Sequence, residues 1–564
     1  MKRRRTPLLL GLAAIVLIAA PIVYTSSQPH RATRELVVSE SHIASRVGAD
    51  VLAAGGNAID AAVATAFALA VTHPQAGNIG GGGFIVYRPA RGEPVAYDFR
   101  EVAPAASTAT MFLVDGKYDE ARHHEGLLSA GVPGTVAGLH LAWTEQGSLP
   151  WRRLVEPAIA LARDGFSVSV RLSRSLAGET RFRDHPASLA QFTKAGAPYE
   201  PGDVLKQPDL ARTLERIAAQ GPAGFYDGET ARLIVEEMRA RGGLMTAADL
   251  AAYRAKRRVP LRGTYRGIEV ISMPPVSSGG VTLLLMLNML EADDLTASGF
   301  GSARTLHRMA ESMRRAYADR ARHLGDPDFN PDMPVERLVS KEYAATLRQT
   351  IAAERATPSS PTTFEWPRQG NETTHLSVMD ANRNAVSLTY TLEYGYGSAI
   401  VVPGAGFILN NEMGDFNAGP GLTTDGGLVG TSPNLAQPGK RMLSSMTPTI
   451  LVKDGAPVMI TGSPGGRTII NTVLQTILNV VDHGMNAQEA VDAARVHHQW
   501  LPDRLQYERQ GFSPDTLAIL KSMGHTLHEV RQQGVAQVIV ADPKTGILEA
   551  GIDRRGADSG AAGR

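Results

Sequence analysis

The chain has 564 residues, of which 43% are hydrophobic and 20% charged, with 57 lysines and arginines against 56 aspartates and glutamates. This composition is that of a packed globular protein, and the length is enough for several domains. A net charge of +1 gives no overall attraction to nucleic acid, so no nucleic-acid partner is expected. The absence of cysteine excludes disulfides, thiolate metal ligands and a cysteine nucleophile.

The N-terminus combines positive charge with an apolar run. Residues 2–5 are basic, and residues 8–24 are almost entirely apolar. A basic stretch before a hydrophobic segment is typical of an export signal, whereas about 20 apolar residues are needed to span a bilayer. Residues 1–32 are therefore predicted to be a signal peptide or an N-terminal membrane anchor, and the sequence leaves that choice open. In both cases the protein is predicted to be exported, to the periplasm or the cell exterior.

The part of the chain that follows is rich in helical patterns. Apolar residues recur at helical spacing, and short β-branched and aromatic runs between them indicate strands. The predicted helices include His42–Leu52, Ala58–Val71, Asp209–Ala219, Glu229–Arg241 and Ala303–Leu324, and the predicted strands are Phe84–Tyr87 and Val95–Phe99. The segment 58–71 is small or apolar all round, so it is expected to be buried on every side.

The pattern changes near residue 357, where residues 357–370 are rich in proline, serine and threonine and are predicted to form an exposed loop. Beyond it the predicted strands are His375–Asp380, Ala385–Leu392, Gly406–Asn410, Thr449–Lys453, Pro457–Thr461, Val538–Ala541 and Ile547–Gly551, and the predicted helices are Thr468–Val481 and Ala487–Arg495. Asp454-Gly455 is a typical hairpin turn. Antiparallel strand pairs segregated from helices predict an α+β fold of stacked sheets covered by helices, rather than a doubly wound parallel sheet.

Two threonines, Thr373 and Thr374, stand where the predicted loop meets a strand. Alone, they are typical of the beginning of a strand. Because side chains alternate along a strand, Thr373 shares a face with His375 and Ser377. A turn near residues 381–383 would then place Thr391 opposite Thr373, if the hairpin register does not slip.

Several motifs occur in one order along the chain. They are Asp98-Phe99-Arg100-Glu101, Asn410 to Phe416, Lys440 to Pro448, Gly462 to Gly466 and His497 to Pro502. In this order they resemble the gamma-glutamyltransferase family of N-terminal-nucleophile hydrolases, and the resemblance runs from about Val37 to the C-terminus. It implies a four-layer αββα sandwich of two stacked, mainly antiparallel sheets. No cofactor is expected.

The resemblance implies that the precursor cuts itself between Glu372 and Thr373. The cut would leave a large, helix-rich subunit of residues 33–372 and a small catalytic subunit of residues 373–564, which together form one αββα unit. Thr373 would be the nucleophile. A threonine hydroxyl is a poor nucleophile, and the new α-amine, with a pKa of about 8, can serve as its base.

The resemblance assigns the remaining catalytic roles to three residues. Thr391 would hydrogen-bond the nucleophile, which the predicted register permits. Gly465 and Gly466 precede a predicted helix, and their N–H groups would stabilise the oxyanion of a tetrahedral intermediate.

The implied substrate is a γ-glutamyl compound such as glutathione, which carries an α-carboxylate and an α-ammonium near the scissile amide. Opposite charges need opposite partners. The predicted carboxylate partners are Arg100, Ser444 and Ser445. The predicted ammonium partners are Glu393, Glu412 and Asp415. The acyl group would pass to water or to an amino acid or dipeptide acceptor.

Other motifs are interpreted as structural. The pairs His123-His124 and His497-His498 lack carboxylate or cysteine partners at metal-ligand spacing, so no metal is expected. Residues 420–430 have the length of a lid loop found in some relatives but contain no aromatic residue. This departure predicts a high share of hydrolysis over transfer.

Two other functions stay open. A related acylase of the same fold would cleave glutaryl-type side chains from β-lactams, but such substrates lack the α-ammonium that the three predicted acidic residues would bind. The other alternative is an unprocessed, non-catalytic homologue. The presence of Thr373, Thr391, Arg100 and the two glycines argues against it.

Overall fold

The computed structural model describes residues 27–359, 373–422 and 430–564. Two seven-stranded sheets form its centre. In spatial order the first sheet consists of Gly560–Gly563, Leu36–Ser39, Thr374–Met379, Ala385–Thr391, Gly82–Arg88, Val95–Phe99 and Lys256–Arg258. The second sheet consists of His30–Ala32, Leu548–Ile552, Gln537–Ala541, Ala456–Thr461, Thr449–Lys453, Ile268–Ser272 and Leu261–Tyr265. Every neighbouring pair in both sheets is antiparallel.

Helices supply most of the remaining regular structure. They are His42–Ala53, Ala58–Thr72, Glu120–His124, Thr135–Gln146, Trp151–Asp164, Val170–Gly178, Pro186–Phe192, Pro208–Gln220, Ala223–Tyr226, Gly228–Ala240, Ala247–Ala252, Gly279–Leu290, Leu295–Ser298, Ala303–His323, Val335–Leu338, Lys341–Gln349, Thr468–Val481, Ala487–Asp492 and Pro514–Ser522. Short strands at the periphery are Leu113–Val114, Lys117–Tyr118, Phe166–Ser167, Val204–Leu205, Val496–His497, Leu505–Glu508 and Leu527–Val530.

The two sheets stack face to face and are covered by helices on both outer faces. In the strand Gly82–Arg88, Ile85 and Tyr87 pack into a core shared with the helix Ala58–Thr72. The alternate residues Phe84 and Val86 pack instead into the core between the sheets. Beyond the second sheet lie the helices 279–290, 303–323 and 468–481. The predicted αββα sandwich is confirmed.

Local signals explain several elements. Every residue of the helix Ala58–Thr72 is buried, as its all-round apolar sequence predicts, and Asn57 and Asp60 form a capping box at its start. In the hairpin of the second sheet, Asp454 and Gly455 both have positive φ (51° and 78°), which suits the tight turn between antiparallel strands.

The strand pair at the middle of the first sheet fixes the register that the site needs. Thr374 lies opposite Tyr390, His375 opposite Thr389, and Ser377 opposite Ser387. One residue before Thr374, the Thr373 side chain contacts Thr391, as predicted from the alternation of the two strands.

Two predicted elements differ from the structure. Gly406–Asn410 is not a strand, because the chain folds back on itself: Val402 N–H donates to the Phe407 carbonyl at 3.0 Å, and only the bridge between Val401 and Ile408 forms. The helix predicted over Ala487–Arg495 ends at Asp492, since Ala493, with ψ 140°, leaves the helical conformation.

Three predicted segments fall wholly or partly outside the described residues. In the predicted export segment, residues 1–26 lie outside the described residues. His30–Ala32, at the end of this segment, forms an edge strand against Leu548–Ile552. Within the described ranges, no helix combines the length and the hydropathy that crossing a bilayer requires. Residues 360–370 of the predicted loop also lie outside, and Thr357 before them donates a hydrogen bond of 2.6 Å to Glu311. The predicted lid at 420–430 is described except for residues 423–429.

Candidate active site

Thr373 lies at the start of the central strand Thr374–Met379, with 4% of its surface exposed. Its hydroxyl donates to Thr391 Oγ1 at 3.3 Å. Thr391 Oγ1 also accepts the N–H of Glu393 at 2.8 Å. This second bond forms because the chain turns directly after the strand, where Glu393 has φ 79°. The turn thereby fixes the Thr391 hydroxyl against Thr373.

A row of polar side chains continues from Thr373 between the two sheets. His375 bonds Thr389 Oγ1 at 2.8 Å and Ser377 Oγ at 3.1 Å, and Ser377 Oγ donates to the Gln537 carbonyl of the second sheet at 2.9 Å. Burial lowers the pKa of His375 to about 3, so its imidazole is neutral. These bonds hold the nucleophile strand against the second sheet.

Arg100 follows the strand Val95–Phe99 and is completely buried. Its Nη1 atom lies 2.5 Å from Glu412 Oε2, and its Nη2 atom pairs with Asp415. The short 3₁₀ turn Glu412–Asp415 brings both carboxylates to the same guanidinium. Burial acts to lower the pKa of Arg100, but Glu412 and Asp415 outweigh it and raise the pKa.

Carboxylates outnumber the guanidinium that they contact. Glu101 Oε2 is a third partner of Arg100 at 3.4 Å, and burial raises the pKa of Glu101 to about 7 although Arg100 opposes the change. Burial also raises the pKa values of Glu412 and Glu393 well above the usual range of a carboxyl group. An added positive charge would favour the ionised form of these groups, so the cluster is suited to a cationic ligand.

His124 is a neighbour of this cluster that sequence reasoning missed. Its Nδ1 atom lies 3.0 Å from Glu393 Oε1, and its ring stacks on Tyr394 with 5.2 Å between ring centroids. Burial lowers the pKa of His124 to about 4. A Cβ at Gly414 would approach His124 Nδ1 to 2.3 Å and Glu393 Oε2 to 2.5 Å, so this packing requires glycine.

Ser444 and Ser445 follow Leu443, whose carbonyl accepts from Arg100 Nη2 at 3.4 Å. Ser444 Oγ accepts the Met446 N–H at 3.1 Å, and Ser445 Oγ accepts from Arg320 Nη2 at 2.8 Å. With their oxygens bonded in this way, both hydroxyls can donate to a ligand. Arg320 was not predicted. The signal was available, because this arginine falls on the buried stripe of the helix Ala303–His323.

Gly465 and Gly466 form the turn before the helix Thr468–Val481, with φ 128° and 54°. The Gly465 carbonyl accepts from Thr468 Oγ1 at 2.8 Å. In the part of the chain that the structure describes, neither glycine N–H donates to another backbone carbonyl. Both are therefore available to a ligand oxygen.

A cavity of about 20 Å³ unites the site. It is lined by Arg100, Thr373, Thr391, Glu393, Glu412, Asp415, Ser444, Ser445, Met446, Gly466 and Ile469. Every predicted site residue except Gly465 therefore faces it, and Gly465 lines a neighbouring cavity.

The comparison with known proteins agrees with this geometry. Residues 44–563 match the family model described as gamma-glutamyltranspeptidase. The chain belongs to the gamma-glutamyltranspeptidase family. It is 47% identical to the glutathione hydrolase proenzyme of Escherichia coli (strain K12) over 555 residues, which is 97% of this chain and 95% of that protein. Membership of this family makes the protein an enzyme.

Solved structures of similar proteins extend the comparison. A cephalosporin acylase from Bacillus halodurans superposes with a TM-score of 0.84 at 29% identity, covering 97% of this chain and 99% of that one. The gamma-glutamyltranspeptidase of Helicobacter pylori superposes with a TM-score of 0.55 at 47% identity, covering 56% of this chain and 91% of that one. The gamma-glutamyltranspeptidase fold thus also occurs in acylases.

The pair His497-His498 takes a structural position, whereas His124 of the pair His123-His124 contacts Glu393 in the site. His497 Nδ1 bonds Asn471 Nδ2 at 2.6 Å, and His498 lies 3.3 Å from Asp503. Among the described residues, one group has the spacing of metal ligands, namely His307, Glu311 and His525. The Glu311 carboxylate accepts hydrogen bonds from Arg314, Arg315 and Thr357.

Proposed function

We propose that this enzyme is a gamma-glutamyltransferase and glutathione hydrolase whose nucleophile is Thr373. The observation that carries the proposal is the contact of Thr373 with Thr391 in one cavity with Arg100 and its carboxylate partners. This arrangement places a hydroxyl nucleophile beside partners for both charges of a γ-glutamyl group.

The nucleophile would become active through self-cleavage. Thr373 Oγ1 would attack the carbonyl carbon of Glu372, which lies outside the described residues, and the peptide C–N bond would break to give an ester. Water would then open the ester and leave a carboxylate on Glu372 and a free α-amine on Thr373. The word proenzyme in the name of the E. coli relative supports such processing. The products would be subunits 33–372 and 373–564, held together by the shared first sheet.

Substrate binding would exchange ion pairs that already exist. The α-carboxylate of the substrate would replace a carboxylate on Arg100, with added hydrogen bonds from Ser444 and Ser445. The α-ammonium would form ion pairs with Glu412 and Asp415, and with the nearby Glu393. After the exchange every buried charge still has a partner. The new ion pairs with the substrate therefore offset the free energy needed to separate Arg100 from its own carboxylates.

The chemical step would follow from the positions of four groups. The α-amine of Thr373 would take the hydroxyl proton as Oγ1 attacks the γ-carbonyl carbon. The N–H groups of Gly465 and Gly466 would stabilise the oxyanion, an effect of about 3 kcal/mol for each donor. The amide C–N bond would then break, with the proton passing to the leaving amine. Water or an acceptor amine would attack the resulting ester and regenerate Thr373.

The acylase alternative is supported by the similarity to the cephalosporin acylase. Three acidic residues around the guanidinium favour a substrate that carries an ammonium, which glutaryl groups lack. Comparing kcat/KM for γ-glutamyl-p-nitroanilide and glutaryl-p-nitroanilide tests this directly. The proposed function predicts that the γ-glutamyl compound is strongly preferred, and equal or reversed preference would contradict it.

The N-terminal sequence adds a proposal on location. The basic and apolar residues before residue 27 support export to the periplasm or the cell exterior, with the segment either removed or kept as an anchor. N-terminal sequencing of the large subunit from fractionated cells tests this. A large subunit that keeps residue 1 and stays in the cytoplasmic fraction would contradict export.

A further inference from the structure

A second cavity adjoins the active site through the turn that carries Gly465 and Gly466. It has a volume of about 360 Å³, within the range of about 300–1,000 Å³ typical of sites for small molecules. We name it the Arg171 cavity, and its lining includes Glu40, Arg171, Gly465, Gln506, Gln533 and Gly534. Gly466, the next residue of the turn, lines the cavity of Thr373. One turn of the chain therefore borders both cavities.

The Arg171 cavity holds one group of each charge. Glu40 follows the strand Leu36–Ser39, is only 2% exposed, and places Oε2 3.8 Å from His73 Nε2. Burial, with a further contribution from Arg171, lowers the pKa of His73 to about 3, so this histidine is neutral. Arg171 enters from the helix Val170–Gly178.

Two polar atoms in the lining lack protein partners. Within the described residues, Arg171 Nη1 and Gln533 Oε1 are buried without a hydrogen bond. A buried donor or acceptor without a partner costs free energy, and a ligand that supplies the partner recovers it. A carboxylate is the natural partner of a guanidinium nitrogen, and an N–H group is the natural partner of an amide oxygen. A short peptide with a free carboxylate offers both.

We propose that the Arg171 cavity is the subsite for the leaving group and the acceptor, and that it takes a short peptide whose free carboxylate binds Arg171. The proposal rests on the proposed function, in which the γ-glutamyl group is held at Thr373. With the scissile carbonyl oxygen at Gly465 and Gly466, the amide nitrogen lies at the border of the two cavities. The peptide attached to it, such as cysteinylglycine, extends past the turn toward Arg171, with Glu40 near its amino end.

The test uses two acceptors that differ only in the carboxylate. Transfer from γ-glutamyl-p-nitroanilide is measured with glycylglycine and with glycylglycinamide, and kcat/KM is determined for each acceptor. Wild type is expected to prefer glycylglycine, and Arg171→Ala is expected to reduce that preference about tenfold, because a charge-assisted hydrogen bond is lost. Arg174→Ala is the matched control, since Arg174 is exposed on the same helix and outside the lining. It is expected to keep the wild-type preference.

A second variant and a separate readout keep the outcomes distinct. Arg171→Gln keeps much of the side-chain length without the charge, so it should reproduce the loss if the charge binds the carboxylate. The proposed subsite is overturned if wild type does not prefer glycylglycine over glycylglycinamide. It is also overturned if both Arg171 variants keep the wild-type preference. Release of p-nitroaniline without any acceptor tests the proposed function by itself. Its absence in wild type would contradict the function, whereas normal release with an unchanged acceptor preference overturns only the subsite.

Discussion

Thr373 donates a hydrogen bond to Thr391 across the central strand pair, with 3.3 Å between the two hydroxyl oxygens. Thr391 in turn is fixed by the Glu393 N–H. Thr391→Ala should therefore leave the fold intact but lower kcat by roughly 10-fold to 100-fold, because the nucleophile loses a hydroxyl partner on the neighbouring strand. Steady-state kinetics with γ-glutamyl-p-nitroanilide measures this. Thr391→Ser, which restores the hydroxyl, should recover most of the rate, and equal losses in the two variants would refute the role.

Arg100 is expected to stabilise the fold through its buried ion pairs. Arg100→Gln would leave Glu412 and Asp415 buried without their cation, so the free energy of unfolding should fall by about 3 kcal/mol. Urea unfolding measures the change. Arg509→Gln is the control, because Arg509 is 70% exposed and 3.9 Å from Glu529, and surface ion pairs contribute about 1 kcal/mol or less. An Arg100 variant as stable as this control would contradict the buried ion-pair cluster.

A substitution at Glu412 is expected to weaken binding of the substrate ammonium without lowering the stability of the fold. Arg100 keeps Asp415 and Glu101 as partners when the charge of Glu412 is removed. Glu412→Gln should therefore keep near wild-type stability yet reduce the preference for γ-glutamyl over glutaryl-p-nitroanilide by at least about tenfold. The ratio of the two kcat/KM values is the measurement. A variant with an unchanged ratio would remove Glu412 from the ammonium site.

Because His375 is buried, the free energy of unfolding is expected to depend on pH. Burial lowers its pKa from 6.5 to about 3, so between these values the unfolded chain binds a proton that the folded chain does not. Stability is thus fully present above pH 6.5 and falls as the pH decreases, by about 1.4 kcal/mol per pH unit for this one group.

The variant His375→Gln should remove that contribution. Its free energy of unfolding, measured in urea from about pH 7 to about pH 5, should fall less steeply than that of wild type. His528→Gln controls for loss of an imidazole, because His528 is exposed. Identical slopes for wild type and His375→Gln would show that His375 is not a buried neutral group.

The parts of the fold that sequence patterns predicted are those determined locally. Alternation along two adjacent strands and a short turn set the position of Thr391 opposite Thr373. The all-apolar pattern of Ala58–Thr72 likewise sufficed to predict its complete burial. Such signals lie within one or two neighbouring segments.

Residues that act through distant contacts were missed. His124 meets Glu393 across 269 positions of the chain, and Arg320 meets Ser445 across 125. The sequence pattern around one residue of such a pair does not indicate which distant residue it contacts. The wrong strand at Gly406–Asn410 has a related cause, because its apolar residues are buried by a chain reversal rather than by a partner strand. Equally, the motifs did not predict that Arg100 is held by the acidic residues expected to bind substrate.

Intact mass measurement and N-terminal sequencing of the purified protein test the central claim most directly, with wild type compared to Thr373→Ala. The account predicts that wild type yields two chains, one of which begins at Thr373, and that Thr373→Ala stays one continuous chain without γ-glutamyl turnover. A wild-type protein that remains uncut and still releases glutamate from glutathione at full rate would contradict it.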